Sequence, residues 1–277
     1  MATMRLCAMN VADTATASAT TANSSYPASN LQSPLRGSVF RTTDASANRK
    51  IFLTWASAQT INFVALARHN LTGSAQWRVE LWSNSDWTGS VEDSGSITAY
   101  DSSLWGAMAT SEGVYATNMR ALKNSVYYTT ALRTTIKSIT ITISDTGNTD
   151  GYLEASRCMA GQYLGLTMNA AYGATMEWVE GADQVRMDSG SLRTLSVVGP
   201  YRRWRLAVST FGAADRKLLS DLSRYAGPRR DMWFDMYPGD GTVLELEGRG
   251  VVKAVALGPL RHSLPAHWDT DFTLEEA

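Results

Sequence analysis

Two stretches of this chain alternate large apolar residues with polar ones in a strict period of two. The apolar members are Trp77, Val79 and Leu81 in the first stretch, and Ile139, Ile141 and Ile143 in the second. Successive side chains of a β-strand point to opposite faces, so each stretch predicts a strand with one buried and one solvent-facing side. Strands of this kind need a sheet and a core behind them, which favours a mainly β fold.

Other segments extend this interpretation to most of the chain. Residues 51–55 alternate and residues 61–66 form a short apolar run, and we expect these two strands to pair with each other. Six more strands are predicted in the second half, at 176–179, 204–208, 232–236, 243–246, 251–257 and 272–274. One helix is predicted at about 213–226, packed against the second sheet, with an apolar face formed by Leu218, Leu219, Leu222 and Tyr225.

The length of the chain favours two domains. A chain of 277 residues with 44% hydrophobic content supplies two modest cores. A turn cluster at 145–151 closes the first set of strands, and residues 161–165 form the junction. We therefore expect domains at 1–160 and 161–277. The long polar stretch 83–128 is predicted to be a functional loop.

Charge and cysteine content exclude several classes of protein. With 25 basic and 26 acidic residues the net charge is −1, which argues against specific nucleic-acid binding. We expect neither a signal peptide nor a membrane span, because no apolar run is long enough. Cys7 and Cys158 are too few for a disulfide framework or a zinc site, and we expect free thiols.

Several short segments together resemble the minor tail proteins of long-tailed bacteriophages. In the first half they are YPASNL at 26–31, FVALARHNL at 63–71, WRV at 77–79, ITITISD at 139–145 and DGYLEASR at 150–157. In the second half they are YRRWR at 201–205, WFDMYPGD at 233–240 and DTDFTLEE at 269–276. The segment 103–128 departs from the family pattern, which leaves its role open.

This resemblance carries expectations about fold and function. It implies an N-terminal discoidin-like, galactose-binding jelly roll, followed by a β-rich tail-assembly domain. The protein would be a structural subunit of the tail tip, such as the distal tail protein, made in the host bacterial cytoplasm and located in the virion tail. It would form a ring-shaped homo-oligomer, a hexamer or a trimer, and contact the tube, tape-measure and hub proteins. It also implies that Cys7 and Cys158 lie near each other.

The alternative function is a carbohydrate-binding module that contacts host surface glycans. His69 and Asn70 follow the predicted strand at 61–66 and could bind a sugar hydroxyl, or they could satisfy the backbone of a turn. Trp82, Trp87 and Trp105 could stack on sugar rings, or they could pack in the core or between subunits.

Five arginines are the candidates for an oligomer interface. They are Arg202, Arg203, Arg205, Arg229 and Arg230. Arg203 and Arg205 share one face of a predicted strand, which favours ion pairs with carboxylates of a neighbouring subunit.

No pattern in the chain indicates a metal, a cofactor or an enzyme. The turn with Asp145, Asn148 and Asp150 has Gly147 where a calcium ligand is needed, so we expect no metal. The nucleophile, phosphate-binding and zinc-protease motifs are missing. His262 and His267 lie near Asp269 and Asp271, but neighbouring residues on an extended strand point to opposite faces. We therefore predict a protein that is not an enzyme and uses no cofactor.

Overall fold

Sixteen strands and two α-helices lie in residues 3–99, 125–240 and 243–277, the part of the chain that the computed structural model describes. The mainly β class predicted from the sequence is confirmed, and both sheets are built from antiparallel ladders such as β1–β13, β4–β8, β5–β8, β11–β12 and β12–β16. The strands are β1 Arg5–Cys7, β2 Thr16–Ala19, β3 Phe40–Arg41, β4 Arg49–His69, β5 Gln76–Trp82, β6 Ser90–Asp93, β7 Ile97–Thr98, β8 Ser125–Ser144, β9 Glu154–Gly161, β10 Leu164–Gly165, β11 Thr175–Arg186, β12 Leu192–Phe211, β13 Met232–Asp235, β14 Arg249–Leu257, β15 Arg261–Leu264 and β16 His267–Glu276. The helices are α1 Ala213–Tyr225 and α2 Val243–Gly248.

Two long strands, β4 and β8, build a β-sandwich by each contributing to both of its layers. Residues 49–54 of β4 pair with 138–143 of β8, and β2 and β5 flank this part of the sheet. Residues 61–67 of β4 pair with 125–133 of β8, and β9 flanks this part. The register shifts between the two parts, and one hydrophobic core contains residues from both.

The predicted pairing of 51–55 with 61–66 is therefore wrong, because both segments belong to β4. The bulged region of 54–61 has no Gly or Pro, so nothing in the local sequence separates the two halves.

The alternating apolar side chains of β5 and β8 lie in the sandwich core. Trp77, Val79 and Leu81 of β5 are 0–2% exposed, and Ile139, Ile141 and Ile143 of β8 are 0–4% exposed. Full burial of one such aliphatic side chain contributes about 1.5–3 kcal/mol. The core thus fixes the register of β5 against β8, since a shift by one residue would turn these side chains outward.

The compact units follow a different partition from the predicted domains. The first unit contains Met1–Gly165 together with Met232–Val251, and the second contains Leu166–Asp231 with Val252–Ala277. Segment 232–251 belongs to the first unit because β13 pairs with β1 in an antiparallel ladder. The existence of domains at 1–160 and 161–277 stays a prediction.

The strand predicted at 243–246 is wrong, since this segment lies in α2. Glu245 forms an ion pair of 3.0 Å with Arg249, one helical turn further on, and Leu246 is buried. A pair at this spacing favours a helix over a strand.

In the second unit, β16 pairs with β12, with β15 and with residues 252–257 of β14, and β12 also pairs with β11. The predicted helix is found as α1, with Leu219 and Leu222 buried. Arg216 of α1 lies over the Trp268 ring of β16, at 5.5 Å, so the helix contacts this sheet.

The polar stretch 83–128 is only partly a loop. It contains β6 and β7 and the beginning of β8, while residues 100–124, with most of the segment 103–128, lie outside the described residues. No helix among the described residues is long and apolar enough to span a membrane.

Candidate functional site

Asn70 ties the end of β4 to the turn that precedes β9. Its side-chain nitrogen donates to Tyr152 O at 2.9 Å and to Asp150 Oδ2 at 3.0 Å. Its side-chain oxygen accepts from Glu154 N at 2.8 Å. The Asn70 amide thus holds the turn. This agrees with the alternative that Asn70 satisfies the backbone of a turn.

The same turn is braced from its other side. Asn148 Nδ2 donates to Asn70 O at 3.0 Å, and Thr72 N donates to Asp145 Oδ2 at 2.9 Å. Asp145 and Asn148 thus bind neighbouring protein groups, so the turn is held by hydrogen bonds within the chain.

A pocket of about 360 Å³ opens between β3, the end of β4 and this turn. Its lining includes Arg41, Arg68, His69, Asp150, Tyr152 and Glu154. This volume falls in the range of small-molecule sites, and the lining is mostly polar.

Three side chains contact the guanidinium of Arg41 at the wall of the pocket. Its Nε donates to Glu154 Oε2 at 2.5 Å, and its guanidinium carbon lies 4.4 Å from the Tyr26 ring centroid and 4.7 Å from that of Tyr152. The hydrogen bond to Glu154 raises the pKa of Arg41, so the group stays charged. The two aromatic rings and the carboxylate together hold the guanidinium at the pocket.

The His69 side chain lines the pocket and bonds to the backbone of the following turn. Its Nδ1 accepts a hydrogen bond from Leu71 N at 3.3 Å, so the neutral imidazole carries its proton on Nε2. The preceding residue, Arg68, has φ of 53°, a conformation that is uncommon for a residue with a side chain. Backbone strain of this kind clusters at functional sites, and here it lies in the pocket lining.

Trp82 and Trp87, two of the predicted aromatic residues, do not lie at this pocket. Trp82 Nε1 donates to Thr140 Oγ1 at 3.2 Å, on the outer face of the sandwich. The Trp87 ring packs 4.8 Å from Phe52 and is 41% exposed. Trp105 lies outside the described residues.

Three of the five candidate interface arginines form ion pairs within the chain. Buried Arg202 pairs with Glu276 at 3.0 Å, Arg203 pairs with Glu275, and Arg205 with Glu177 at 2.9 Å. The carboxylates that pair with these arginines thus belong to the same chain. The sequence had favoured carboxylates of a neighbouring subunit for Arg203 and Arg205. Arg229 and Arg230 are exposed, and Arg230 lies 4.2 Å from the Tyr225 ring. A role of these five residues in an oligomer stays a prediction.

The histidines and aspartates near the C-terminus have local roles. The His262 ring stacks on Trp268 at 5.2 Å, and Asp269 accepts from Thr210 N at 2.8 Å. Asp271 pairs with Arg261 at 3.4 Å. These side chains are engaged by different neighbours.

Sequence reasoning identified two of the pocket residues, His69 and Asn70, and missed Arg41, Tyr152 and Glu154. Two of these, Tyr152 and Glu154, lie in the segment 150–157, which contributed to the resemblance. Their meeting with Arg41 depends on the pairing of β3 with β9, and no local pattern indicates that pairing.

Comparison with known proteins gives matches to solved structures alone. No protein-family profile matches the chain, and no curated protein matches it. The chain is similar to chitosan-binding module 1 of a chitosanase/glucanase from Paenibacillus sp. IK-5, with 16% identity over 56% of this chain and 99% of that one, at a TM-score of 0.36. It is also similar to the family 32 carbohydrate-binding module of C. perfringens NanJ in complex with galactose (15% identity, 57% and 99% coverage, TM-score 0.38).

A fucose-binding module from Streptococcus pneumoniae is a third match, with 13% identity over 56% of this chain and 95% of that one, at a TM-score of 0.38. At TM-scores this low, the function has to be argued from the residues of the chain itself.

Proposed function

We propose that the first unit is a carbohydrate-binding module and that the pocket beside Arg41 is its binding site. The observation that carries the proposal is the charged pair of Arg41 and Glu154 at the wall of a pocket that Tyr152 also lines. Sugars present vicinal hydroxyls, which pair with charged donors and acceptors, and carbon–hydrogen faces, which pack on aromatic rings.

The pocket is organised before any ligand arrives. Asn70 and Asn148 hold the turn, and Tyr26 and Glu154 hold Arg41. Preorganised polar groups lose little conformational entropy on binding, which favours affinity for a small ligand. The ligand would be a host surface glycan.

Blocking the pocket tests this function. Thr149 lines the pocket and is exposed, so Thr149→Trp should fill the site and leave the fold intact. Thr146, an exposed residue of the same turn that does not line the pocket, gives the matched control Thr146→Trp. The wild type and the control should bind the same members of a glycan array, and Thr149→Trp should bind at least about tenfold more weakly. Absence of binding by the wild type, or equal binding by all three proteins, contradicts the proposal.

One feature of the second unit favours a second function, that of a structural subunit of a phage tail tip. In the hairpin of β11 and β12, residues 184–195 are all exposed. Its apolar residues Val185, Met187, Leu192 and Leu195 are 42–64% exposed. A two-stranded hairpin with both faces in water is marginally stable, and exposed apolar residues mark contact sites.

In this second proposal the hairpin packs against sister copies in a ring at the tube end of a virion tail. Replacing 184–195 by Asn-Gly joins Asp183 to Ser196, which face each other in the ladder, and so shortens the hairpin without changing its register. Light scattering and negative-stain images should show rings for the wild type and monomers for the shortened protein. Val255→Ser, which changes an exposed apolar residue elsewhere, should leave the rings unchanged. A monomeric wild type at high micromolar concentration contradicts the ring.

A further inference from the structure

The guanidinium of Arg41 has one edge that no described residue uses. Its Nε is bonded to Glu154, and its guanidinium carbon lies over the rings of Tyr26 and Tyr152. Among residues 3–99, 125–240 and 243–277, no group accepts a hydrogen bond from its two terminal nitrogens. The Arg41 side chain is partly exposed and lines the pocket.

Building on the proposed function, we infer that the pocket selects sugars that carry a carboxylate and that Arg41 binds this carboxylate through its two terminal nitrogens. Two parallel N–H groups of a guanidinium match the two oxygens of a carboxylate in one plane. Tyr26 and Tyr152 are positioning residues, because the guanidinium lies over both of their rings.

The other charges of the pocket agree with an anionic ligand. The Glu154 carboxylate accepts a hydrogen bond from Arg41 Nε, and the Asp150 carboxylate accepts one from Asn70. Arg68 adds a second cation to the lining. A neutral sugar would bring only hydroxyls to the terminal nitrogens of Arg41, and a hydroxyl supplies neither the negative charge nor the two coplanar oxygens of a carboxylate.

Matched ligands give the sharpest test. An array should hold each glycan as the free acid, as its carboxyl methyl ester and as its neutral counterpart, together with sulfated glycans that carry a tetrahedral anion. We expect the acids to bind at least about tenfold more tightly than their esters. Equal binding of acid and ester, or binding of sulfated glycans alone, overturns the inference.

A conservative variant separates charge from geometry. Arg41→Lys keeps the positive charge beside Glu154 but loses the planar fork, so the preference for acid over ester should fall at least about tenfold while the melting temperature stays close to that of the wild type. Arg133→Lys is the matched control, since Arg133 pairs with Glu92 away from the pocket. An unchanged preference in Arg41→Lys overturns the role of Arg41.

The two proposals fail in different ways. If no glycan binds, or if Thr149→Trp binds as the wild type does, then the binding function itself is wrong. If neutral glycans bind, lose binding in Thr149→Trp and are preferred to acids, then the pocket binds glycans and only the carboxylate selectivity is wrong.

Discussion

The phenol oxygen of Tyr127 donates a hydrogen bond of 2.6 Å to Glu245 Oε1, 118 residues further along the chain. This bond joins β8 of the sandwich to α2 within the first unit. The Tyr127 ring also packs 5.0 Å from the Trp233 ring, and the guanidinium of Arg249 lies 5.1 Å from the centroid of the Tyr127 ring. Tyr127 thus connects the sandwich to the segment 232–251 through both apolar and polar contacts.

Removing this hydroxyl should weaken the first unit. Tyr127→Phe keeps the ring contacts but takes one donor from Glu245, which is buried. A buried acceptor that loses a donor costs about 1–3 kcal/mol, and Arg249 remains as a partner at 3.0 Å, so we expect a loss near 1–2 kcal/mol in denaturant unfolding. The control is Tyr128→Phe, because Tyr128 donates to Glu92, whose side chain is more accessible to water. A loss in the control equal to that in Tyr127→Phe contradicts this account.

Asp235 should make the stability of the first unit depend on pH. Burial raises the pKa of this carboxyl to about 7, with Arg249 opposing the rise and Glu245 adding to it. The raised value means that the folded state holds a proton that the unfolded chain releases near its ordinary pKa of 3.8. The stability contributed by this proton is therefore complete below about pH 4 and is lost as the pH rises through about 7.

The Asp235→Asn variant tests that dependence, because an amide does not titrate. Its unfolding free energy should vary less than that of the wild type between about pH 4 and 7, and at pH 8 the variant should be the more stable protein by a few kcal/mol at most, since one pKa unit corresponds to about 1.4 kcal/mol. Thermal unfolding over this range measures the difference. Parallel pH profiles for the two proteins contradict a buried, protonated Asp235.

Gly161 at the end of β9 should not tolerate a side chain. A Cβ at this position would lie 2.3 Å from the carbonyl oxygen of Met9, and the backbone φ is +156°. We expect Gly161→Ala to cost on the order of 2–4 kcal/mol of unfolding free energy, because the clash is with backbone. Gly147→Ala is the control: its Cβ would meet only Ser74 Oγ, at 4.0 Å, so its effect should stay within about 0.5 kcal/mol. Equal stability of the two variants would sink this prediction.

Local patterns predicted single elements well and predicted contacts between distant segments poorly. The alternation in β5 and β8 indicated both the strands and their buried faces, because a period of two depends on neighbouring residues alone. The sequence analysis missed the division of β4 between two layers and the helix α2. Tertiary packing decides where a long strand bends and whether a short apolar segment forms a helix or a strand. The pocket depends on the pairing of β3 with β9, a contact between residues 41 and 154.

The two thiols should be unreactive in the folded protein. Cys7 in β1 and Cys158 in β9 are both fully buried, and burial raises the pKa of each thiol to about 12. The thiolate is the reactive form, so both low access and low thiolate content slow the reaction with a disulfide reagent. Native protein should therefore release little thionitrobenzoate from Ellman's reagent at pH 8, and protein in denaturant should release two equivalents, one for each cysteine. Cys7→Ala and Cys158→Ala assign any native signal to one thiol. Fast labelling of Cys158 would place β9 at the surface, and the sandwich would then lack the strand that carries Tyr152 and Glu154 to the pocket.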